Sequence, residues 1–562
     1  MTTSGVPRRV PLPAGFLFAV AAALAAAVLL WLGRGLTFFA DEWAFIESRQ
    51  IDSLDSLLRP HNEHWSTIPI LLYRTLFAIV GLRSYLPYLA LVILIHIAVA
   101  AGIFVLLRRA HGPWPALGGG LLVLLLGAGF ENIFWAFQIG FVGSTAAGVW
   151  ALVVLDGPAS RRRMPAVALL LTLGVATSGM GLLFLLLVGV ELGLDGARRR
   201  ALLWLAVPAL SYATWYLAYG RTGVDTYGRP YTVEAFARLT WFVPVGVADA
   251  IREATGLPEV VGIAVTAAVA VTIGWQVFRH RAVPSRTLGA CAAILAEFAL
   301  IGLVRGQLGS WAADYPRYAY TATILAIVGA SPWVARLQLP TGRRARLGAR
   351  VAGILALEAL LVVNVHSLVL GAGLFQDRAD LTRALVTVAL RYDSAPAVVP
   401  DRSLVLVPSP SSLEAIVASA GSPTRDSLMP GVVPPIRPET MDDALNRLVG
   451  GAVPRVEAGA GATGAAGQGR SPGDCRTAVV DPGGRPVTLV RPPGASVYLR
   501  TDTPGTVATA LARLAPPQTR LSHAFPLGAG AWYAIAVPDL GDGEPWTLAI
   551  WPADRAPLEV CG

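Results

Sequence analysis

Eleven apolar runs, separated by polar loops that carry arginine clusters, constrain this chain more than any other feature of its sequence. A helix needs about 20 apolar residues to cross a hydrocarbon core about 30 Å thick. Only 14% of the residues are charged, and the mean hydropathy is +0.57, outside the range of soluble domains. The sequence therefore predicts a polytopic α-helical membrane protein, with spans at 14–36, 85–107, 114–129, 139–155, 164–177, 179–194, 201–219, 257–278, 288–304, 321–335 and 351–370.

The arginine clusters predict the orientation of these spans. Arg8 and Arg9 precede the first span, and further clusters at 108–109, 161–163, 198–200 and 343–346 follow the second, fourth, sixth and tenth crossings. The positive-inside rule places such loops in the cytoplasm. The N-terminus is therefore predicted inside, and eleven crossings put the C-terminal region outside. The bias toward Arg, Ala, Gly and Pro is typical of a GC-rich bacterial genome, so the bacterial plasma membrane is the predicted location.

Composition also excludes several classes of function. All 45 basic residues are Arg, so a Walker-type phosphate loop and Schiff-base chemistry, which both need Lys, are excluded. The net charge of +9 resides largely in the loop clusters, which indicates membrane topology rather than nucleic-acid binding.

The chain after residue 372 has no further run long enough to span a membrane. We predict four regions: a transmembrane domain at 1–372, an α/β connecting region at 373–457, a Gly/Ala-rich linker at 458–474 and a β-sandwich-like domain at 475–562. Cys475 and Cys561 bracket the last region and predict one disulfide in an oxidising compartment. A helix is expected at 374–391, and the segments 404–407, 412–419 and 440–448 suggest a small mixed α/β region. Strands are expected at 477–480, 486–490, 496–500, 532–537 and 546–551.

The first outer loop collects unusual polar residues. Asp41 and Glu42 directly follow the first span, and the sequence HNEH follows at 61–64. Acidic residues at a bilayer boundary cost free energy unless they are hydrated, are paired with a cation or take part in binding or catalysis. The run 68–81 predicts an amphipathic helix at the outer interface.

Most other unusual polar residues also fall on the predicted outer side: Arg74, Glu131, Asn132, Gln138, Arg305, Arg317 and Tyr318. A site there would have no access to ATP or nucleotide sugars from the cytoplasm. An enzyme at this face needs an energised substrate that is already in the membrane, and a lipid-linked phosphate diester meets that need.

Three motifs carry a resemblance to a known family: FADEW at 39–43, HNEHW at 61–65 and YPRYAY at 315–320. Together with the topology, they make residues 14–370 resemble the GT-C membrane glycosyltransferases of the mannosyl- and arabinofuranosyltransferase type. The resemblance implies an inverting transfer from a polyprenyl-phosphate sugar to an extracytoplasmic envelope glycan or glycoprotein.

The resemblance also implies roles for the outer residues. Asp41 would be the general base, and Glu42 would orient it or bind the acceptor. Arg74, Arg305 and Arg317 are the candidates to stabilise the leaving phosphate. The remaining candidates for substrate binding are His61, Glu63, His64, Glu131, Asn132, Gln138 and Tyr318.

Several alternatives remain open at this point. His61 and His64 would share a face of a helix, so a divalent metal ion held with Asp41 or Glu63 competes with a simple hydrogen-bonding pair. No other cofactor is indicated. A polytopic transporter of a polar or lipid-linked substrate predicts internal repeats and broken helices. A non-catalytic envelope scaffold with a glycan-binding outer domain would leave Asp41 dispensable.

Overall fold

The computed structural model describes residues 13–49, 53–196, 199–223, 231–279, 283–309, 312–336, 342–392, 410–426, 428, 431, 433–449, 455–456, 475–478, 486–517, 523–552 and 557–561. The chain divides into two compact units. The first comprises Met1–Leu36, Ala44–Val80 and Tyr85–Gln376, and the second comprises Thr37–Trp43, Gly81–Ser84 and Asp377–Gly562.

Helices build the first unit. In chain order they are α1 Ala14–Leu32, α2 Asp41–Ser48, which begins in the second unit, α3 Leu54–Leu58, α4 Thr67–Val80, α5 Leu86–His111, α6 Pro113–Leu124, α7 Phe130–Phe134, α8 Ile139–Leu155, α9 Arg163–Thr177, α10 Gly181–Leu194, α11 Arg199–Ala218, α12 Val233–Thr255, α13 Glu259–Phe278, α14 Ser285–Arg305, α15 Pro316–Val334 and α16 Arg343–Arg391. Helix α16 continues into the second unit. Short 3-10 turns at Gly127–Gly129 and Ala136–Gln138 flank α7.

Each of the eleven predicted spans is helical in the structure. Among the described residues, eight helices are long and apolar enough to cross a membrane, and α9 and α10 are shorter apolar helices. Helix α15 matches the remaining predicted span. The prediction of a multi-pass α-helical membrane protein is thus confirmed, whereas the side on which each terminus lies stays a prediction.

Helix α1 has one apolar face that packs against protein and a second apolar face that does not. One face is buried through residues such as Phe18, Ala22 and Leu29, and the opposite face leaves Leu24 and Val28 more than half exposed. In a soluble protein the exposed face would be polar. An apolar face that does not pack against protein is expected where a helix contacts lipid.

Small residues let two helix pairs approach closely. A Cβ atom at Gly148 of α8 would lie 2.0 Å from Cγ of Phe184 of α10, and one at Gly181 would lie 2.3 Å from the backbone of Gly174 of α9. Both distances are too short for any side chain, so the α8–α9–α10 packing requires glycine at these positions. Such contacts replace the hydrophobic effect as a source of helix association within lipid.

Helix α4 matches its predicted helix, whereas helix α16 joins two elements that were predicted as separate. Helix α4 confirms the helix predicted at 68–81, although its place at an interface stays a prediction. The span at 351–370 and the helix at 374–391 were expected as separate elements, but both belong to the single helix α16. A glycine inside a helix costs only about 1 kcal/mol, so Gly371 and Gly373 do not end it.

Helices and two antiparallel sheets make up the second unit. Its helices include α17 Pro410–Ala420 and α18 Pro438–Val449, and its strands are β1 Arg455–Val456, β2 Cys475–Ala478, β3 Val487–Arg491, β4 Ser496–Thr501, β5 Gly505–Ala512, β6 His523–Leu527, β7 Trp532–Ala536, β8 Trp546–Pro552 and β9 Leu558–Cys561. The sheet orders are β1-β7-β4-β9-β2 and β3-β8-β5-β6. The predicted two-sheet C-terminal domain is confirmed.

Both sheets share one hydrophobic core. Leu499 and Ile535 from the first sheet and Leu511 and Leu548 from the second belong to the same buried cluster, together with Trp546. Buried residues alternate along β4, so this strand buries one face, as in a β-sandwich.

The predicted disulfide is present. Cys475 and Cys561 are bonded and are directly opposed on the neighbouring antiparallel strands β2 and β9. The bond therefore ties the last strand of the described chain to the strand that opens the domain.

Helices from the preceding segment contribute to the same core. Ala384 and Val388 of α16 and Leu445 of α18 pack into it, and Asp442 of α18 accepts backbone hydrogen bonds from 513–515 at 2.8–3.2 Å. The segment 404–407 of the predicted α/β region and the predicted linker at 458–474 lie outside the described residues. The four predicted domain boundaries stay predictions.

Candidate functional site

Asp41 and Glu42 open helix α2, and both belong to the second unit. Glu42 is fully buried, and its Oε2 accepts a hydrogen bond from the backbone N–H of Phe39 at 3.0 Å. This carboxylate closes the turn before the helix, as in a capping box. Asp41 is half-buried in the first turn, where the helix dipole favours a negative charge. Of the two acids, Asp41 is the better placed for acid–base chemistry.

The HNEH sequence forms a tight turn, not the helix on which the metal hypothesis depended. The backbone N–H of His61 donates to the carbonyl of His64 at 3.1 Å, and the reverse hydrogen bond is 3.0 Å long. Asn62 has a positive φ of 50°, a conformation that Asn tolerates better than most residues. The two histidines are thus paired across a turn, and Glu63 lies inside it.

Buried Arg49 shapes the chain that leads into this turn. Its guanidinium donates to the carbonyls of Ser56 at 3.2 Å and Arg59 at 2.9 Å, and to that of Pro60. Burial and the charge of Arg59 lower the pKa of Arg49 to about 10. No sequence pattern indicates this role, because a single Arg in a polar loop normally faces solvent.

The side chain of Glu63 pairs with Arg305, at the end of α14. Arg305 donates from Nη2 to Oε1 of Glu63 at 2.6 Å and from Nη1 to the hydroxyl of Tyr318 at 2.8 Å. Nε2 of His64 lies 3.5 Å from the same Glu63 oxygen. Glu63, Arg305 and Tyr318 are all mostly buried, so this is an internal charge pair and not a surface one.

A second ion pair adjoins the first. Arg317, in the first turn of α15, donates from Nη1 to Oε1 of Glu131 at 2.9 Å. Its Cζ lies 4.1 Å from the ring centre of Tyr315 and 5.3 Å from that of Tyr318, so Tyr318 contacts both arginines. We call Glu63, His64, Glu131, Arg305, Arg317 and Tyr318 the polar network.

Helix connectivity explains why the two arginines are neighbours. Helix α14 ends at Arg305, and α15, which packs against it, begins at Pro316. A cation is favourable at the C-terminus of a helix and unfavourable at the N-terminus. Arg317 therefore depends on its carboxylate partner more than Arg305 does.

Buried Asn364 of α16 helps to position Glu131. Its Oδ1 accepts a hydrogen bond from the backbone N–H of Ala128 at 3.2 Å, and its Nδ2 donates to the carbonyls of Ala254 and Leu360, each at 2.9 Å. A Cβ atom at Gly127 would lie 2.0 Å from the carbonyl oxygen of Asn364. The turn that precedes α7 is therefore fixed against α16. A lone Asn within an apolar run was the available sequence signal for this role.

Burial sets the protonation states in the HNEH turn. Burial alone would raise the pKa of Glu63, but the charge of Arg305, its hydrogen bond to Glu63 and a backbone hydrogen bond lower the pKa. Burial lowers the pKa of His64 to about 4. At neutral pH we therefore assign an ionised Glu63 paired with Arg305, beside a neutral imidazole.

Several buried polar atoms in and beside the network have no hydrogen-bond partner among the described residues. They are Oε2 of Glu63, both ring nitrogens of His64, both side-chain polar atoms of Asn132 and Nε of Arg317. Buried polar atoms are nearly always hydrogen-bonded, and the exceptions need an explanation. A polar ligand in contact with these atoms would supply hydrogen bonds that the described residues do not.

Three predicted site residues, Arg74, His61 and Gln138, do not belong to the polar network. Arg74 donates to the carbonyl of Ile46 at 3.1 Å. The His61 ring lies 4.9 Å from Phe45 and 5.2 Å from Phe137 between ring centres. Gln138 is buried at the start of α8. The structure thus gives Arg74 and His61 local packing roles.

The described residues contain one group of three metal-ligating side chains whose ligand atoms lie within 4.8 Å of one another. This group is Cys475, Glu559 and Cys561, and its two sulfur atoms already form the disulfide. His61 and His64 do not form such a group with a third ligand in the described part of the chain.

Comparison with known proteins gives little further information. No protein-family model matches the chain, and no curated protein matches it. The solved apo structure of ArnT from Cupriavidus metallidurans is similar over 68% of this chain and 81% of that chain, with a TM-score of 0.43 and 15% identity. A similarity of this size carries no inference about fold or activity.

Proposed function

We propose that this protein transfers a sugar from a polyprenyl-phosphate-linked donor to an extracytoplasmic envelope glycan or glycoprotein. The motifs FADEW, HNEHW and YPRYAY, which resemble those of GT-C glycosyltransferases, suggest this reaction. The multi-pass helical architecture supports it, because a lipid-linked donor reaches an enzyme from within the bilayer.

The observation that carries the proposal is the polar network. Four ionised side chains lie buried in the helical unit, in two Arg–Glu pairs. Ionisable groups within a membrane bundle are expensive and generally mark a substrate path or a reaction site. A purely structural network would satisfy its own polar atoms, whereas this network leaves several without a hydrogen-bond partner in the part of the chain that the structure describes.

The arginines suit a phosphate ligand. A guanidinium has five donors in a planar fork, so it can pair with a carboxylate on one side and accept a phosphate on another. Arg317 uses Nη1 for Glu131, and its Nε has no partner among the described residues. We assign Arg317 and Arg305 to stabilise the charge that develops on the departing polyprenyl phosphate.

Asp41 is our proposed general base, on the strength of the sequence resemblance. It would take the proton of the acceptor hydroxyl as that oxygen attacks the anomeric carbon and displaces the polyprenyl phosphate, with inversion. Glu42, which caps the turn before α2, is assigned a structural role.

The test is a donor screen with the full-length protein in liposomes. Polyprenyl-phosphate mannose, arabinofuranose, glucose and galactose are supplied with envelope glycan, and the released polyprenyl phosphate is measured. We expect turnover with one donor and a loss of about 10²–10⁴-fold in Asp41→Asn, as for removal of a general base. Glu42→Gln serves as the matched control, because it should lower stability more than the rate per folded molecule.

An unchanged rate in folded Asp41→Asn would overturn the assignment of the base. Absence of transfer from all four donors, combined with uptake of a labelled lipid-linked substrate, would favour the transporter. Glycan binding without turnover would favour the scaffold.

A further inference from the structure

A cavity of about 340 Å³ lies within the first unit, far from the polar network. It lies between the C-terminal parts of α5 and α15, the end of α8 and the beginning of α14. Arg286 lines it, whereas Arg305 of the network lies nineteen residues later on the same helix. At 1.5 Å per residue the two are about 28 Å apart, close to the thickness of a bilayer core. The cavity is therefore at the opposite end of the bundle.

The cavity has an apolar wall and a charged end. Ile103, Leu106, Ile327 and Val328 contribute aliphatic side chains from α5 and α15. Arg109, Asp156, Arg286 and Ser331 supply the polar groups. This combination, at the end of the helices that carries the predicted cytoplasmic arginine clusters, fits a molecule with a polar head and an apolar tail.

The two arginines that line the cavity differ in their carboxylate partners. Arg286 makes two hydrogen bonds to Asp156, at 2.6 and 2.8 Å, and two to Glu191, at 2.7 and 3.0 Å. One guanidinium is therefore shared between two carboxylates. Arg109 donates to the carbonyl of Val153 at 2.6 Å and forms no ion pair among the described residues. The cavity therefore presents one positive and one negative position.

We propose that this cavity binds the headgroup of a zwitterionic phospholipid that carries a primary ammonium, as in phosphatidylethanolamine. Arg109 holds the phosphate, and the carboxylate of Asp156, beside Glu191, accepts hydrogen bonds from the ammonium. A lipid tail follows the aliphatic wall. The cavity volume of about 340 Å³ lies within the range of about 300–1,000 Å³ that is typical of ligand pockets. This site is independent of the proposed sugar transfer.

The test is lipid binding to the delipidated full-length protein in detergent, measured by native mass spectrometry. The probes are phosphatidylethanolamine, phosphatidylcholine, phosphatidylglycerol and water-soluble phosphoethanolamine. We expect phosphatidylethanolamine to bind about tenfold more tightly than the other two lipids. The trimethylammonium group of phosphatidylcholine has no N–H donor, and the headgroup of phosphatidylglycerol carries no cation.

Variants locate the site. Arg109→Gln should weaken phosphatidylethanolamine binding about tenfold. Arg108 is exposed like Arg109 but does not line the cavity, so Arg108→Gln should leave binding unchanged. Ala110→Trp, at an exposed position on the cavity edge, should block binding without disturbing the core.

Three results would overturn the proposal. Equal binding of the three lipids, or equal weakening by Arg108→Gln, would show a general attraction of lipid to the basic end of the bundle. Full binding in folded Ala110→Trp would place the lipid elsewhere. Phosphoethanolamine that binds as tightly as the lipid would assign the cavity to a soluble ligand.

Discussion

The Glu63–Arg305 pair offers a quantitative test of the polar network. Glu63→Gln removes the negative charge with little change in shape and leaves Arg305 with the Tyr318 hydroxyl at 2.8 Å. The side chains of Glu63 and Arg305 are 16% and 10% exposed, so water compensates only a small part of the loss. Removing one partner of a buried ion pair costs about 3–5 kcal/mol, and we expect about 3 kcal/mol because of the residual exposure.

A double-mutant cycle separates the pair from its surroundings. We expect Glu63→Gln and Arg305→Met each to lower the free energy of unfolding by about 3 kcal/mol, and the double variant to lose about 3 rather than about 6 kcal/mol. The assay is unfolding of the full-length protein in mixed micelles of mild detergent and SDS, followed by circular dichroism.

Asp314→Asn is the matched control in the same unit. Asp314 pairs with Arg252, but its side chain is 48% exposed, so the loss should stay below about 1 kcal/mol. Additive effects of Glu63→Gln and Arg305→Met, with a coupling energy below about 0.5 kcal/mol, would refute the internal ion pair.

Three further predictions concern stability. Because burial lowers the pKa of His64 to about 4 from about 6.5, only the unfolded chain gains this proton between those pH values. The free energy of unfolding should therefore fall by about 3 kcal/mol as the pH drops across that window, and His64→Phe should remove this part of the slope in unfolding curves. Reduction of the Cys475–Cys561 bond, which spans 86 residues, should lower the stability of the second unit by about 4.6 kcal/mol in the loop-closure model, measured by thermal unfolding with and without reductant; an unchanged transition would contradict it. Arg49→Gln leaves buried carbonyls without their donor and should raise proteolysis within 50–60 at least tenfold, in contrast to the exposed control Arg59→Gln.

The apolar runs were sufficient to predict the helical architecture, because each span must satisfy its backbone hydrogen bonds within itself. All eleven runs coincide with helices. The C-terminal strands were harder to predict. Strand β5, Gly505–Ala512, was missed because its sequence GTVATALA has no clear alternation, and its pairing with β6 and β8 determines its conformation.

The sequence identified members of the polar network but not their partners. Glu63 and Arg305 are 242 residues apart in the chain, so only helix packing brings them together. Spacing alone made His61 and His64 resemble a helical pair, whereas the backbone closes a turn between them. The roles of Arg49 and Asn364 also depend on tertiary contacts that local patterns do not encode.

The central claim, that the polar network binds the phosphate of a lipid-linked sugar donor, is tested most directly by Arg317→Gln. The measurement is the rate of polyprenyl-phosphate release by the folded full-length protein in liposomes, with Arg108→Gln as the charge-matched control. We predict that Arg317→Gln lowers this rate about 10²–10³-fold, as for loss of an electrostatic donor, while Arg108→Gln keeps the wild-type rate. Equal rates in wild-type and folded Arg317→Gln protein would contradict the claim.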